Sequence, residues 1–150
     1  MSRKVTPLGL ENSLKRFVEE FTDYKVFIRR DGLKVPLDTS YVIVTPLPIT
    51  TVALSKGGEA MRSVHALQYD LFGISKRDIS MMQHELRQAI FYNDFRYYTE
   101  DNEPTDLWLR FDDEIVESPE FSADLHQTST HHSVHIGVYV HVVGHRNIKQ

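Results

Sequence analysis

Val64–Phe91 reads VHALQYDLFGISKRDISMMQHELRQAIF, and this stretch decides the fold. Over Val64–Phe72, His65, Leu67, Tyr69 and Leu71 fall on one face, with Val64, Ala66, Gln68, Asp70 and Phe72 on the other. That alternation is the period of a β-strand with one mostly apolar face. Gly73 ends the strand, and Ser75 with Asp78 has the form of a capping box with Asp in the usual Glu position. Ile79, Met82, Leu86, Ala89 and Ile90 then recur at helical spacing, an apolar stripe able to lie back on the sheet. Strand, turn and helix follow one another without a gap, and together they supply the core.

A chain of 150 residues fits one domain, 1–150, with 1–7 as a loose N-terminal arm. A hydrophobic content of 41% and a charged content of 25% are ordinary for a globular protein and exclude wholesale disorder. There is no cysteine, which excludes a disulfide scaffold and any thiolate metal site. No apolar run suits a signal peptide or a bilayer span, so the expectation is a soluble protein made in the cytoplasm. The net charge of −4 conceals an asymmetry. Between Asn93 and Leu125 eleven acids face two arginines, a local charge of −9, and the remainder carries +5. Two readings stand: a solvated, loop-rich insertion, or a surface that repels a polyanion or meets a basic partner.

Upstream of the central unit, Leu10, Leu14, Phe17, Val18 and Phe21 form a stripe opposite Glu11, Lys15, Arg16, Glu19 and Glu20. This is an amphipathic helix beginning near Leu8. Lys25–Arg30 is expected as a short strand closed by the Asp31-Gly32 turn signal. Tyr41–Thr45 reads as a buried strand ended by Pro46, followed by an irregular stretch over Pro46 and Pro48 and a further strand at Thr50–Lys56. Lys56–Glu59 turns the chain back towards Val64. Downstream, Phe95–Thr99 and Leu107–Phe111 read as short strands around the polar Glu100–Asp106. Asp112-Asp113 makes a turn, and Glu114–Glu117 returns as the second arm of a hairpin. Ser118–Thr130 is a long connection. His131–His145 is a long strand with Val134, Ile136, Val138, Val140 and Val142 on one face. Strands cluster instead of alternating strictly with helices. The class is therefore α+β: a mixed, mostly antiparallel sheet with an N-terminal helix and a central helix packed on it.

Candidate chemistry is sparse. His131, His135, His141 and His145 share the face opposite the valines, yet His131 to His135 alone spans about 13 Å of strand, too far for one tetrahedral ion. His126 with His131 or His132 lacks a supporting carboxylate spacing. A polar sheet face, and a subunit contact sensitive to pH near about 6, fit these histidines better. No Gly-x-Ser-x-Gly elbow, phosphate loop or dinucleotide fingerprint occurs, and no catalytic or cofactor site is expected. Tyr92, Tyr97, Tyr98 and Trp108 are available for base stacking but lie in the most acidic region, the wrong field for nucleic acid.

The order of elements, sharpest over HALQYDLFG and SKRDISMMQHELRQAIF with Tyr69 and Leu71 around Asp70, resembles the tail terminator proteins of long-tailed bacteriophages. These are also described as tail-completion or tail-to-head joining proteins. The resemblance implies a structural virion protein: a ring, usually of six subunits, that caps the tail tube, ends its polymerisation and docks to the head connector. Its partners would be further copies of itself, the tail tube protein, the head-completion or connector protein, and DNA passing without sequence-specific binding. It implies no membrane and no cofactor, and a place at the head–tail interface of the virion after synthesis in the host cytoplasm. On this reading Glu100, Asp101, Glu103, Asp112, Asp113 and Glu114 are candidate channel-facing acids, though outward-facing turns fit them equally well. Pro46, Pro48 and Lys56 belong to an extended arm on a neighbour or on the tube. Arg62, Lys76 and Arg77 form the basic side of a head-to-tail contact with an acidic surface. The alternatives are a head-completion or stopper ring, and a non-viral α+β module binding a small ligand or nucleic acid through its His-bearing strand.

Overall fold

The computed structural model describes residues 5–36, 38–53, 60–120 and 130–143. In chain order the elements are α1 (Pro7–Phe21), β1 (Lys25–Ile28), β2 (Tyr41–Ala53), β3 (Ala60–Gly73), α2 (Lys76–Tyr92), β4 (Phe95–Tyr98), β5 (Pro104–Leu109), β6 (Val116–Glu120) and β7 (Thr130–Val143). Five strands make the main sheet in the order β1-β2-β3-β7-β6, and β4 with β5 makes a small second sheet. Among the described residues β1 and β2 run parallel and the other pairings are antiparallel. The fold is α+β, as the sequence implies.

The expected apolar faces meet as one layer. His65, Leu67, Tyr69 and Leu71 of β3 are buried, as are Val134, Ile136, Val138 and Val140 of β7. From α2, Ile79, Met82, Leu86, Ala89 and Ile90 close over them, and Ser75 caps that helix by accepting from the Asp78 amide at 3.1 Å. From α1 come Leu10, Leu14, Phe17 and Val18. The hydroxyl of the wholly buried Tyr69 donates to the Leu14 carbonyl at 3.0 Å, tying the helix to the middle strand. Helix α1 also has a second buried side that its apolar stripe does not reveal. Asn12 donates to the carbonyls of Thr99 and Glu100, and the Ser13 hydroxyl accepts from the Tyr98 amide at 2.7 Å. These polar bonds hold the small sheet against the helix.

Several expectations are corrected. Pro46 does not end a strand: β2 runs through Pro46 and Pro48 with a register shift between Pro46 and Ile49, so Thr50 continues the same strand. The reason is that β1 stops at Ile28, opposite Val44. The Val44 carbonyl accepts from Arg29 on that outer side, and two residues further the Pro46 nitrogen faces the same edge, where no ladder bond is lost. The expected Asp31-Gly32 turn is present, with Gly32 at φ 73°, and the strand after it, β2, runs parallel to β1. Nor do the strands flanking Asp112-Asp113 pair with each other. Phe111 bridges Val138 and the Asp112 amide donates to the Gly137 carbonyl at 2.7 Å, which delivers β6 to the edge of β7. Strand β6 thereby reaches Glu120, inside the expected connection. Helix α1 begins at Pro7, with Thr6 as its cap, and residues 1–4 of the expected arm lie outside the described residues. The turn at Lys56–Glu59 lies outside the described residues.

Gly73 is required where β3 meets α2. A Cβ there would sit 2.8 Å from the Ile79 backbone nitrogen, an atom that cannot swing aside. Gly73→Ala should therefore lower unfolding free energy by about 2 kcal/mol, within the usual cost of overpacking. Urea denaturation of the variant beside the parent checks this, and an unchanged midpoint would contradict it.

Candidate functional site

The sheet face turned away from α1 and α2 carries an ordered array of side chains. Registration places Tyr41, Phe72 and His131 in one row, Ile43, Asp70 and Ser133 in the next, and Thr45, Gln68 and His135 in a third. The first row is a stack. Tyr41 lies over Phe72 at 4.9 Å and 15°, and Phe72 over His131 at 4.3 Å and 11°. Phe27 of β1 extends it edge-on to Tyr41 at 6.1 Å. Cross-strand ring pairs of this kind reinforce a sheet and its register.

Asp70, 1% exposed, is the centre of the array. Its Oδ1 accepts from Gln68 Nε2 at 2.6 Å and lies 2.8 Å from His131 Nε2. Its Oδ2 accepts from Thr45 Oγ1 at 2.7 Å and Arg29 Nη2 at 3.2 Å. Burial alone pushes the carboxyl up; the hydrogen bonds from His131, Thr45 and Gln68 outweigh it and hold Asp70 at about 2. A carboxylate has about four lone-pair sites, and here four donors fill them. It is an ionised anchor with no acceptor left for proton transfer. The Thr45 hydroxyl is committed too, since it accepts from Arg29 Nε at 2.8 Å while donating to Asp70.

A second cluster ties β6 to α2 on the core side. Glu117 accepts from Arg87 at 2.8 and 3.1 Å and sits 3.0 Å from His132 Nε2. Burial raises the Glu117 carboxyl, and its bonds to Arg87 and His132 bring it below its ordinary value. His132 therefore belongs to the core face, whereas His131 and exposed His135 lie on the outer one. Burial pushes His65 below the usual imidazole range. His126 and His145 lie outside the described residues. Among the described residues no three His, Asp or Glu side chains gather as a metal site.

The residues expected at partner contacts do not form one patch. Lys76 and Arg77 are exposed in the first turn of α2, next to Gly73, while Arg62 lies roughly 35 Å away along β3. Pro46 and Pro48 are exposed midway along β2, and Lys56 lies outside the described residues. The acids divide as well. Glu100, Asp101 and Glu103 occupy the β4–β5 turn, where Asn102 takes φ 63°. Asp112, Asp113 and Glu114 follow the other end of β5, about 17 Å along that strand.

Long strands outrun short ones at both sides of the sheet. Strand β2 is paired to β1 only over Tyr41–Val44, and β7 to β6 only over His131–His135. Phe111 and Asp112 occupy the β7 edge at Gly137–Val138. Beyond these points the outer edges of β2 and β7 have no strand partner among the described residues, although β2, β3 and β7 stay paired to one another up to Ala53, Ala60 and Val143. The result is a three-stranded arm with two edges facing opposite ways. Sequence reading missed the Arg29–Thr45–Asp70–His131 network because alternation shows which side a residue faces, not which residue stands beside it. Comparison with known protein families and with curated proteins finds no match to this chain.

The Asp70 network has a pH signature. Its carboxyl falls from 3.8 to about 2 on folding, so its contribution is fully present above pH 3.8 and is lost as pH falls through about 2. The difference corresponds to roughly 2 kcal/mol. Asp70→Asn should therefore be destabilised by about that much at pH 7, and the gap to the parent should close between pH 4 and 2. Denaturation midpoints across this range measure it; a gap independent of pH would refute the assignment.

Proposed function

We propose that this chain is a ring-forming structural subunit, a tail terminator that caps a phage tail tube, ends its polymerisation and joins it to the head connector. The observation that carries this reading is the arm of β2, β3 and β7, whose two edges lack strand partners on opposite flanks among the described residues. Unmet backbone donors and acceptors on a long edge recruit another strand. Because the two edges are different surfaces, joining one to the other between copies is a heterologous contact, and such contacts close into rings when the rotation per subunit divides a circle. Pro46 blunts the first part of the β2 edge, so strand addition would begin beyond the bulge, over Thr50–Ala53. The resemblance of Val64–Phe91 to tail terminators supports the kind of ring. The saturated Asp70 supports a structural role, since the most elaborate polar cluster here has no open valence for chemistry.

Negative-stain imaging with native mass measurement over rising concentration, alone and with tail tubes added, tests this. Closed rings with a hole wide enough for duplex DNA, or rings seated on tube ends, are the expected outcome. A chain that stays monomeric in both conditions would defeat the reading.

A further inference from the structure

Helix α2 carries its charges against its own dipole. Lys76 and Arg77 stand in the first turn, where cations are unfavourable by about 0.3–1 kcal/mol each, and only Asp78 offsets them. No basic residue occupies the last turn. Beside the two cations, Ile74 and Met81 expose 44% and 49% of their surface, giving a basic end studded with apolar groups. Neither Lys76 nor Arg77 makes an ion pair among the described residues.

The other end of the same helix is the complement. Phe91 and Tyr92 are 75% and 70% exposed, edge-on to each other at 5.0 Å. They line a cleft of about 630 Å³ with Asp94, Arg110, Asp112 and Asp113. Arg110 pairs with Asp94 at 3.4 Å, and among the described residues the carboxylates of Asp112 and Asp113 have no ion-pair partner. The negative end of the α2 dipole points the same way. An aromatic, anionic concavity suits a group that is cationic and partly apolar, because rings attract cations and bury aliphatic carbon. The basic end of α2 has that composition, about 24 Å away along the helix and so beyond reach of its own cleft.

We propose that the cleft at the C-terminal end of α2 receives the basic N-terminal end of α2, Ile74, Lys76, Arg77 and Met81, from a second copy of this chain. The proposal rests on the ring reading only in taking a second copy as occupant. The contact is heterologous, so each subunit gives one end and receives the other.

Charge exchange in the full chain tests it. Lys76→Glu with Arg77→Glu, and separately Asp112→Lys with Asp113→Lys, should each weaken self-association about a hundredfold, because like charges then meet. Mixing the two variants should restore assembly, since each then offers the end that the other accepts, and one chain carrying all four changes should assemble alone. Phe91→Ser with Tyr92→Ser, at exposed positions, should weaken assembly without altering the melting curve. Rings that form unchanged in every variant would overturn this contact and leave the ring reading standing. Open chains of subunits that obey the exchange would support the contact and defeat the ring. A parent chain monomeric at every concentration, alone and on tubes, overturns both, and a lysine-rich peptide binding to that monomer would assign the cleft to a different basic protein.

Discussion

The pairing of β3 with β7 is unbroken from Ala60 opposite Val143 to Gly73 opposite Thr130, and the rest of the molecule hangs on that register. A slip of one residue would turn Val134, Ile136 and Val138 away from the helices and bring Ser133 and His135 under them. It would also carry His131 away from Asp70. The register is thus enforced from both faces, by apolar burial on one and by a carboxylate with four donors on the other. The two constraints differ in kind. Apolar packing tolerates small displacements, whereas a buried anion is satisfied in few arrangements and leaving it short of donors is costly. Arg29, 46% exposed, adds least to this, since its charge is screened by water.

The helices reinforce the same half of the sheet. Tyr69 bonds to Leu14, and Gly73 lies against Ile79, within the span that also holds the ring stack and the Asp70 network. Helix α2 starts at the Gly73 end and runs back about 24 Å, far enough to come level with Ala66. The chain after it anchors there too, through Phe111 and Asp112 on Val138 and Gly137, the latter opposite Ala66. Stability is therefore concentrated in one half of the long strands, and the arm projects from it.

Much of this was legible in the residues. The alternation in Val64–Phe72 and the spacing of Ile79, Met82, Leu86, Ala89 and Ile90 name the buried side chains correctly, because burial on one face of a regular element is a local pattern. Asp70 was placed on the opposite face, yet its partners are Thr45 of β2, His131 of β7 and Arg29 just past the end of β1, and their meeting depends on register. The prolines of β2 misled for a related reason. Proline ends a strand when its nitrogen must donate, and whether it must donate depends on how far the neighbouring strand runs. Likewise, the acidic run looked like one feature because its residues are close in sequence, while β5 separates them into two groups. Asn12 and Ser13 escaped notice because a buried polar side chain on a helix has no periodic mark.

Magnitudes decide how the arm and the two ends of α2 would share a contact between subunits. Exposed ion pairs contribute at most about 1 kcal/mol each and fade with salt, so Lys76 and Arg77 on Asp112 and Asp113 would select a partner without holding it. Covering Phe91 and Tyr92 adds about 2 kcal/mol apiece, still short of a stable assembly. Strand addition along the arm would supply what is missing: directional hydrogen bonds that fix orientation and register. The cleft lies at the root of the arm, on the flank where the β7 edge continues past Val138. A neighbour approaching that flank would meet charge, then rings, then a strand edge that has no partner among the described residues, three terms that add because one approach engages them all.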